Sequence, residues 1–123
     1  MNSIKLKFSN YTLNIKLRST NTANAIKNIL PFKSIVKTWG DEIYFEIPIE
    51  KNIDLESDAK DVINLGEVAY WIDGKSIAIG YGKTPISQNN EIRLAAKTNI
   101  WGDAVLDVKE LGKIRDGDEV IIS

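Results

Sequence analysis

The stretch Gly66-Glu67-Val68-Ala69-Tyr70-Trp71-Ile72-Asp73-Gly74-Lys75-Ser76-Ile77-Ala78-Ile79-Gly80-Tyr81 sets two alternating apolar runs around Asp73-Gly74, the strongest hairpin signal in the chain. If the turn holds only Asp73 and Gly74, Tyr70 lies opposite Ile77 and Val68 opposite Ile79, which makes one face thoroughly apolar. That face belongs to a core. The other face carries Ala69 and Trp71 beside Ala78 and Ser76, a large ring over small neighbours.

The same period of two recurs on both sides of this hairpin. Ile4, Leu6 and Phe8 alternate with lysines, and after Ser9-Asn10 the alternation resumes at Tyr11, Leu13, Ile15 and Leu17, predicting a second hairpin with a two-residue turn. Thr20, Asn21 or Thr22 can cap a helix in which Ala23, Ile26 and Leu30 share a face, and Pro31 marks its exit. Strands are expected over residues 34–38 and 43–49, separated by a Gly40-Asp41 turn, with Pro48 at an edge or strand end. Residues 51–60 are polar and read as the main surface loop and the most mobile segment, and residues 82–91 read as a second loop. Late strands are expected at 100–105 and 119–122, with a short helix at 108–111 and a turn at Asp116-Gly117 between them. Seven or eight short strands with one or two helices describe a mostly β, single domain over residues 1–123. A sheet this long in so short a chain curls most economically into a closed barrel, which also removes exposed edges.

The 16 Lys and Arg nearly cancel the 17 Asp and Glu, so no broad positive field is available to collect nucleic acid or anionic lipid. With no Cys there are no disulfides, thiol nucleophiles or cysteine-bound zinc. With no His there is no Ser-His or Cys-His catalytic arrangement and no imidazole metal ligand, so neither a metal nor a cofactor is expected. The alternating amino terminus lacks the unbroken apolar run of a signal peptide or membrane span, so a cytoplasmic protein is expected.

Gly82-Lys83-Thr84 is no phosphate-binding loop, because the position of its first glycine is occupied by Ile77 and Pro85 follows in place of a helix. Trp39-Gly40-Asp41 recurs as Trp101-Gly102-Asp103, which turn chemistry and chance explain. The acidic cluster of Asp116, Asp118 and Glu119 lacks the ligand spacing of a calcium loop. Asp41 and Glu42 read as surface charge at a strand end. Tyr44 and Trp71 are different: each falls out of phase with the core alternation and is expected to face outward into a groove, beside a loop bearing Thr84-Pro85.

Several strings resemble those of uncharacterised bacterial and archaeal cyclophilin-like proteins. They are Thr22-Ala23, Trp39-Gly40-Asp41-Glu42-Ile43-Tyr44-Phe45, Gly66-Glu67-Val68-Ala69-Tyr70-Trp71, Gly80-Tyr81-Gly82-Lys83-Thr84-Pro85-Ile86-Ser87, Glu91-Ile92-Arg93 and Asp116-Gly117-Asp118-Glu119-Val120. Trp101 departs from the pattern, which expects an aliphatic residue before Gly102. The resemblance implies a closed cyclophilin-like β-barrel of about eight strands, capped by helices, with a ligand cleft on its outer wall. True cyclophilins isomerise prolyl bonds with a strand-borne arginine beside a Phe-His pair, and Ser34-Ile35-Val36-Lys37-Thr38 has neither. No catalytic residue is therefore carried across, and whether the chain is an enzyme stays open. The expected function is a binding module for a small molecule or an extended peptide. Its ligand would lie against Tyr44, Trp71, Thr84 and Pro85, with Trp39, Tyr70 and Tyr81 as apolar walls and Glu42 and Arg93 as polar contacts. The alternatives are an atypical prolyl isomerase, a catalyst pairing Glu42 or Glu67 with Arg93, and a structural subunit of a larger assembly. The residues leave the oligomeric state open.

Overall fold

The computed structural model describes residues 2–105 and 108–123. β1 (Ser3–Lys7) and β2 (Thr12–Leu17) form the first hairpin, closed by Phe8 N donating to the Tyr11 carbonyl at 2.8 Å, so the turn holds Ser9 and Asn10 as expected. α1 (Asn21–Asn28) follows, capped by Thr20, whose hydroxyl accepts from Ala23 N at 3.0 Å. Ala23 and Ile26 of this helix are buried in the main core.

The expected strand at 34–38 divides into β3 (Phe32–Ile35) and β4 (Lys37–Thr38), with buried Val36 between them. This break closes the barrel. The strand order runs β3, β10 (Glu119–Ile122), β1, β2, β9 (Ile92–Ala104), β7 (Glu67–Trp71), β8 (Ser76–Gly80), β5 (Glu42–Glu46) and β4, so its two ends are successive pieces of one segment. On one side β3 pairs with β10 (Glu119–Ile122), and on the other β4 pairs with β5 (Glu42–Glu46). Ser34 Oγ donating to the Glu46 carbonyl at 2.6 Å helps to stitch the seam.

β7 (Glu67–Trp71) and β8 (Ser76–Gly80) pair Tyr70 with Ile77 and Ala69 with Ala78, the register expected from the alternation. Lys75 N donates to the Ile72 carbonyl at 3.1 Å, so Asp73 and Gly74 occupy the centre of the turn as expected, but without the positive φ values of the usual two-residue loop. The ladder stops at Trp71 and Ser76, and Lys75 rather than Gly74 takes the positive φ, at 46°. Gly74 is required for space instead: a Cβ there would lie 2.3 Å from the Trp71 ring.

Strand β9 (Ile92–Ala104) begins well before the expected residue 100 and belongs to two layers. Its second half lies in the barrel between β2 and β7, and its first half pairs with β6 (Lys60–Ile63), a strand not expected from the sequence. Two irregularities allow this. Between Val68↔Gly102 and Ala69↔Ile100 β9 carries one extra residue, which turns both Trp101 and the side-chain-free Gly102 toward the barrel interior. Between Val62↔Arg93 and Lys60↔Thr98 it carries a longer excursion, residues 94–97.

The result is two apolar clusters. The barrel interior holds Leu6, Leu13, Ile15, Phe45, Tyr70, Ile77, Trp101 and Val120 among others. A smaller cluster lies outside the wall, where Ala69 and Ala78 meet Ile63, Ile92, Leu94 and Ile100, with Tyr44 packed against it. Small residues let the outer layer approach, and a Cβ on Gly80 would fall 2.4 Å from Ile92 Cγ2. The loop at 51–59 is tied down despite its polarity: Asn99, fully buried, donates to Thr22 Oγ1 and the Asp54 carbonyl and accepts from Glu56 N. Glu56 in turn accepts from the Thr22 hydroxyl at 2.7 Å. A six-residue 3-10 helix, Val108–Lys113, precedes β10. Among the described residues no helix is long and apolar enough to cross a membrane.

Candidate functional site

Between the barrel wall and the β9 excursion lies a cavity of ≈ 220 Å³. Its floor and one side come from β5, β7 and β8, through Glu42, Tyr44, Trp71 and Ala78. The excursion supplies Leu94, Ala95 and Ala96, with Thr98 beyond them, and Trp39 closes the side next to the Gly40 turn. Tyr44 and Trp71 meet nearly at right angles, 82°, with ring centroids 6.2 Å apart. A second depression of ≈ 390 Å³ shares Trp71 and Ala96 and extends past Ile53, Asp54 and Lys97.

Glu42 is the unusual member. The strand alternation puts it on the face opposite Ile43, the face it shares with Tyr44, and it is only 6% exposed because the outer layer covers that face. Its Oε1 is buried without a hydrogen-bond partner, the one such side-chain atom among the described residues. Burial pushes its carboxyl up to about 7. The reading of Glu42 as surface charge is thus corrected, whereas its neighbour Asp41 is exposed.

The structure brings Trp39, Glu42, Tyr44 and Trp71 together and places the other candidates elsewhere. Tyr70 is 2% exposed and packs inside the barrel, as its phase with Ile77 requires. Tyr81 is half-buried against the inner core, and its backbone N donates to the Asp41 carbonyl at 2.8 Å. Thr84 is buried with its hydroxyl donating to the Arg93 carbonyl. Pro85 packs on the outside of the Gly40 turn, where a Cβ on Gly40 would lie 2.9 Å from its Cδ. Together with Asp41 N donating to the Lys83 carbonyl at 2.8 Å, this makes the 83–85 loop a brace behind Trp39 and not a wall of the cavity.

Arg93 is occupied by Glu91 and by Asp61, the latter at 3.0 Å. Glu67 lies in a separate network, bonded by Lys60 at 2.7 Å and by Arg18 at 3.0 Å, with Arg18 also gripping Asp103 at 2.8 Å. Burial alone would raise the Glu67 carboxyl, but the bonds from Lys60, the Asn64 amide and Arg18 hold it below the ordinary range. The expected pairing of Glu42 or Glu67 with Arg93 is therefore not assembled. Trp101, the other Trp-Gly-Asp tryptophan, is fully buried with its indole N–H donating to the Ala69 carbonyl at 3.1 Å. Leu94, Ala95, Ala96 and Thr98 were not expected in the site, because a strand interrupted by an excursion has no simple period. Among the described residues no group of three or more carboxylates could hold a metal ion.

The Cyclophilin-like family model matches residues 2–123. The chain belongs to the Cyclophilin-like family. Comparison with curated proteins yields no match. Among solved structures, this Cyclophilin-like chain is similar to the solution structure of a hypothetical protein from Archaeoglobus fulgidus. The two share 37% identity with a TM-score of 0.82, over 98% of this chain and 92% of that one. The family accounts for the closed barrel, and the site must be argued from its own residues.

The Gly74 contact makes the cavity testable as a built feature. In Gly74→Ala the new methyl displaces the Trp71 indole, the mobile partner of the clash. The expected result is a shifted Trp71 indole N–H resonance, with stability within about 1 kcal/mol of the parent in urea unfolding. An unmoved resonance would show that the ring is not held against this turn.

Proposed function

We propose that this Cyclophilin-like domain is a binding module that holds a small molecule, or one end of an extended peptide, in the cavity of Trp39, Glu42, Tyr44 and Trp71, without efficient prolyl isomerase activity. The observation that carries this reading is the unpartnered Oε1 of Glu42 in an otherwise largely apolar hollow. A buried polar atom without a partner costs about 1–3 kcal/mol, and a ligand that offers it a hydrogen bond recovers that cost on binding. Trp39, Tyr44 and Trp71 join Ala78, Leu94, Ala95 and Ala96 in the lining, the usual division of labour between apolar walls and a few polar groups. The adjoining depression past Trp71 gives a longer ligand somewhere to continue.

Against isomerase activity stands the lining itself, which contains no arginine, while Arg18 and Arg93 are each held by carboxylates. A charge-assisted bond contributes about 1.5–3 kcal/mol, so its absence alone removes roughly a ten- to hundredfold rate gain.

The test is a fragment titration followed by amide and indole N–H NMR. Shifts are expected to cluster on Trp39, Glu42, Tyr44, Trp71 and residues 94–98. Clustering elsewhere would overturn the reading. Exchange spectroscopy on a proline peptide is expected to show no acceleration at stoichiometric protein, and acceleration would favour the enzyme instead.

A further inference from the structure

We propose that the cavity selects a small organic cation, an ammonium bearing methyl or alkyl groups, seated among the rings of Trp39, Tyr44 and Trp71 with the carboxylate of Glu42 as its counter-ion. This inference rests on the binding role proposed above and specifies the chemistry of the ligand. Three independent features converge on it.

The first is ring geometry. Tyr44 and Trp71 stand 82° apart, which forms an aromatic corner, and Trp39 adds a further aromatic group to the lining. Ring faces attract cations through their quadrupoles, and several rings around one hollow are the arrangement that recognises alkylated ammonium. The second is charge. The residues that line the cavity include no lysine or arginine, and Glu42 is their only carboxylate. A carboxylate with a buried, unpartnered oxygen attracts a positive ligand and repels an anionic one. The third is size. A dry apolar cavity of about 150 Å³ admits benzene, whereas drug-sized ligands occupy pockets of roughly 300–1,000 Å³. At ≈ 220 Å³ the hollow suits a compact headgroup, and the depression beyond Trp71 could carry whatever is attached to it.

A neutral ligand of the same shape would fill the same space but gain neither the ring–cation attraction nor the ion pair. That difference defines the experiment. Choline and its uncharged isostere 3,3-dimethylbutan-1-ol are titrated separately into the full chain at pH 8, with the indole N–H signals of Trp39 and Trp71 followed by NMR. Choline is expected to bind at least tenfold more tightly, with shifts at both indoles. Glu42→Gln, which keeps the shape and removes the charge, is expected to weaken choline about tenfold and so to erase most of its advantage over the isostere. Trp71→Leu is expected to weaken choline about thirtyfold. Equal binding of the two probes at these residues would overturn cation selection while leaving the cavity as a binding site. Binding of neither probe would also overturn cation selection, and the fragment titration would then decide the fate of the site by itself. The fold of each variant is checked from the dispersion of its amide spectrum.

Discussion

Trp101→Ala is expected to destabilise the protein by about 3–5 kcal/mol, a large share of the roughly 5–15 kcal/mol that holds a domain together. Trp101 is fully buried in the barrel interior and donates its indole N–H to the Ala69 carbonyl. Truncation removes the packed ring and leaves a void beside Gly102, which has no side chain of its own to move into it. The control is internal to the chain. Trp39 opens the other Trp-Gly-Asp tripeptide but lies half-exposed beside the cavity, so Trp39→Ala is expected to cost less than about 1.5 kcal/mol. Urea unfolding of the two variants measures both. Equal losses would contradict the assignment of one ring to the core and the other to the site.

The second large effect concerns Glu42 and depends on pH. Its carboxyl stands at about 7 in the folded protein against an ordinary 4.5, and burial is the cause. Because the folded value is raised, the native state binds this proton more tightly than the unfolded chain does. No stability is lost below about pH 4.5, where the group is neutral in both states. The loss grows as pH rises from 4.5 to about 7 and is complete above that. The displacement corresponds to about 3 kcal/mol. Glu42→Gln is therefore expected to match the parent near pH 4 and to be more stable by up to about 3 kcal/mol at pH 8, as judged by urea unfolding at both pH values. The carboxylates of Glu67 and Asp103, held down by their cationic partners, act in the opposite sense at low pH, but they are common to both proteins and cancel in the comparison. A residue that weakens its own fold at neutral pH is typical of a position kept for function.

How much of this was legible in the sequence depends on period. The 66–81 hairpin was readable because Tyr70 with Ile77 and Ala69 with Ala78 follow strict alternation, and only one register puts all the apolar side chains inside. The outward phase of Tyr44 and Trp71 was readable for the same reason. The burial of Glu42 was missed because alternation distinguishes the two faces of a strand but does not say what covers the outer one. The cover is β6 and the first half of β9, and the extra residues of β9 destroy the period that would have announced it. A signal was nevertheless present. Ala69, Ala78 and Gly80 are small residues grouped on the outer face of β7 and β8, which is the composition a second layer needs in order to approach. Thr84 and Pro85 were placed beside the groove by their neighbourhood in the chain, but the fold uses them to brace the Gly40 turn instead.

The binding role, the choice of a cation and the pH-dependent stability all presuppose a secluded, unpaired acid at the edge of an aromatic hollow. Carbon-13 NMR of the Glu42 side-chain carboxyl, followed from pH 3 to 9, reads that acid directly. A midpoint near 7 is the predicted result. A midpoint near 4.5 would mean that water reaches the carboxylate freely, and the site as described would not exist.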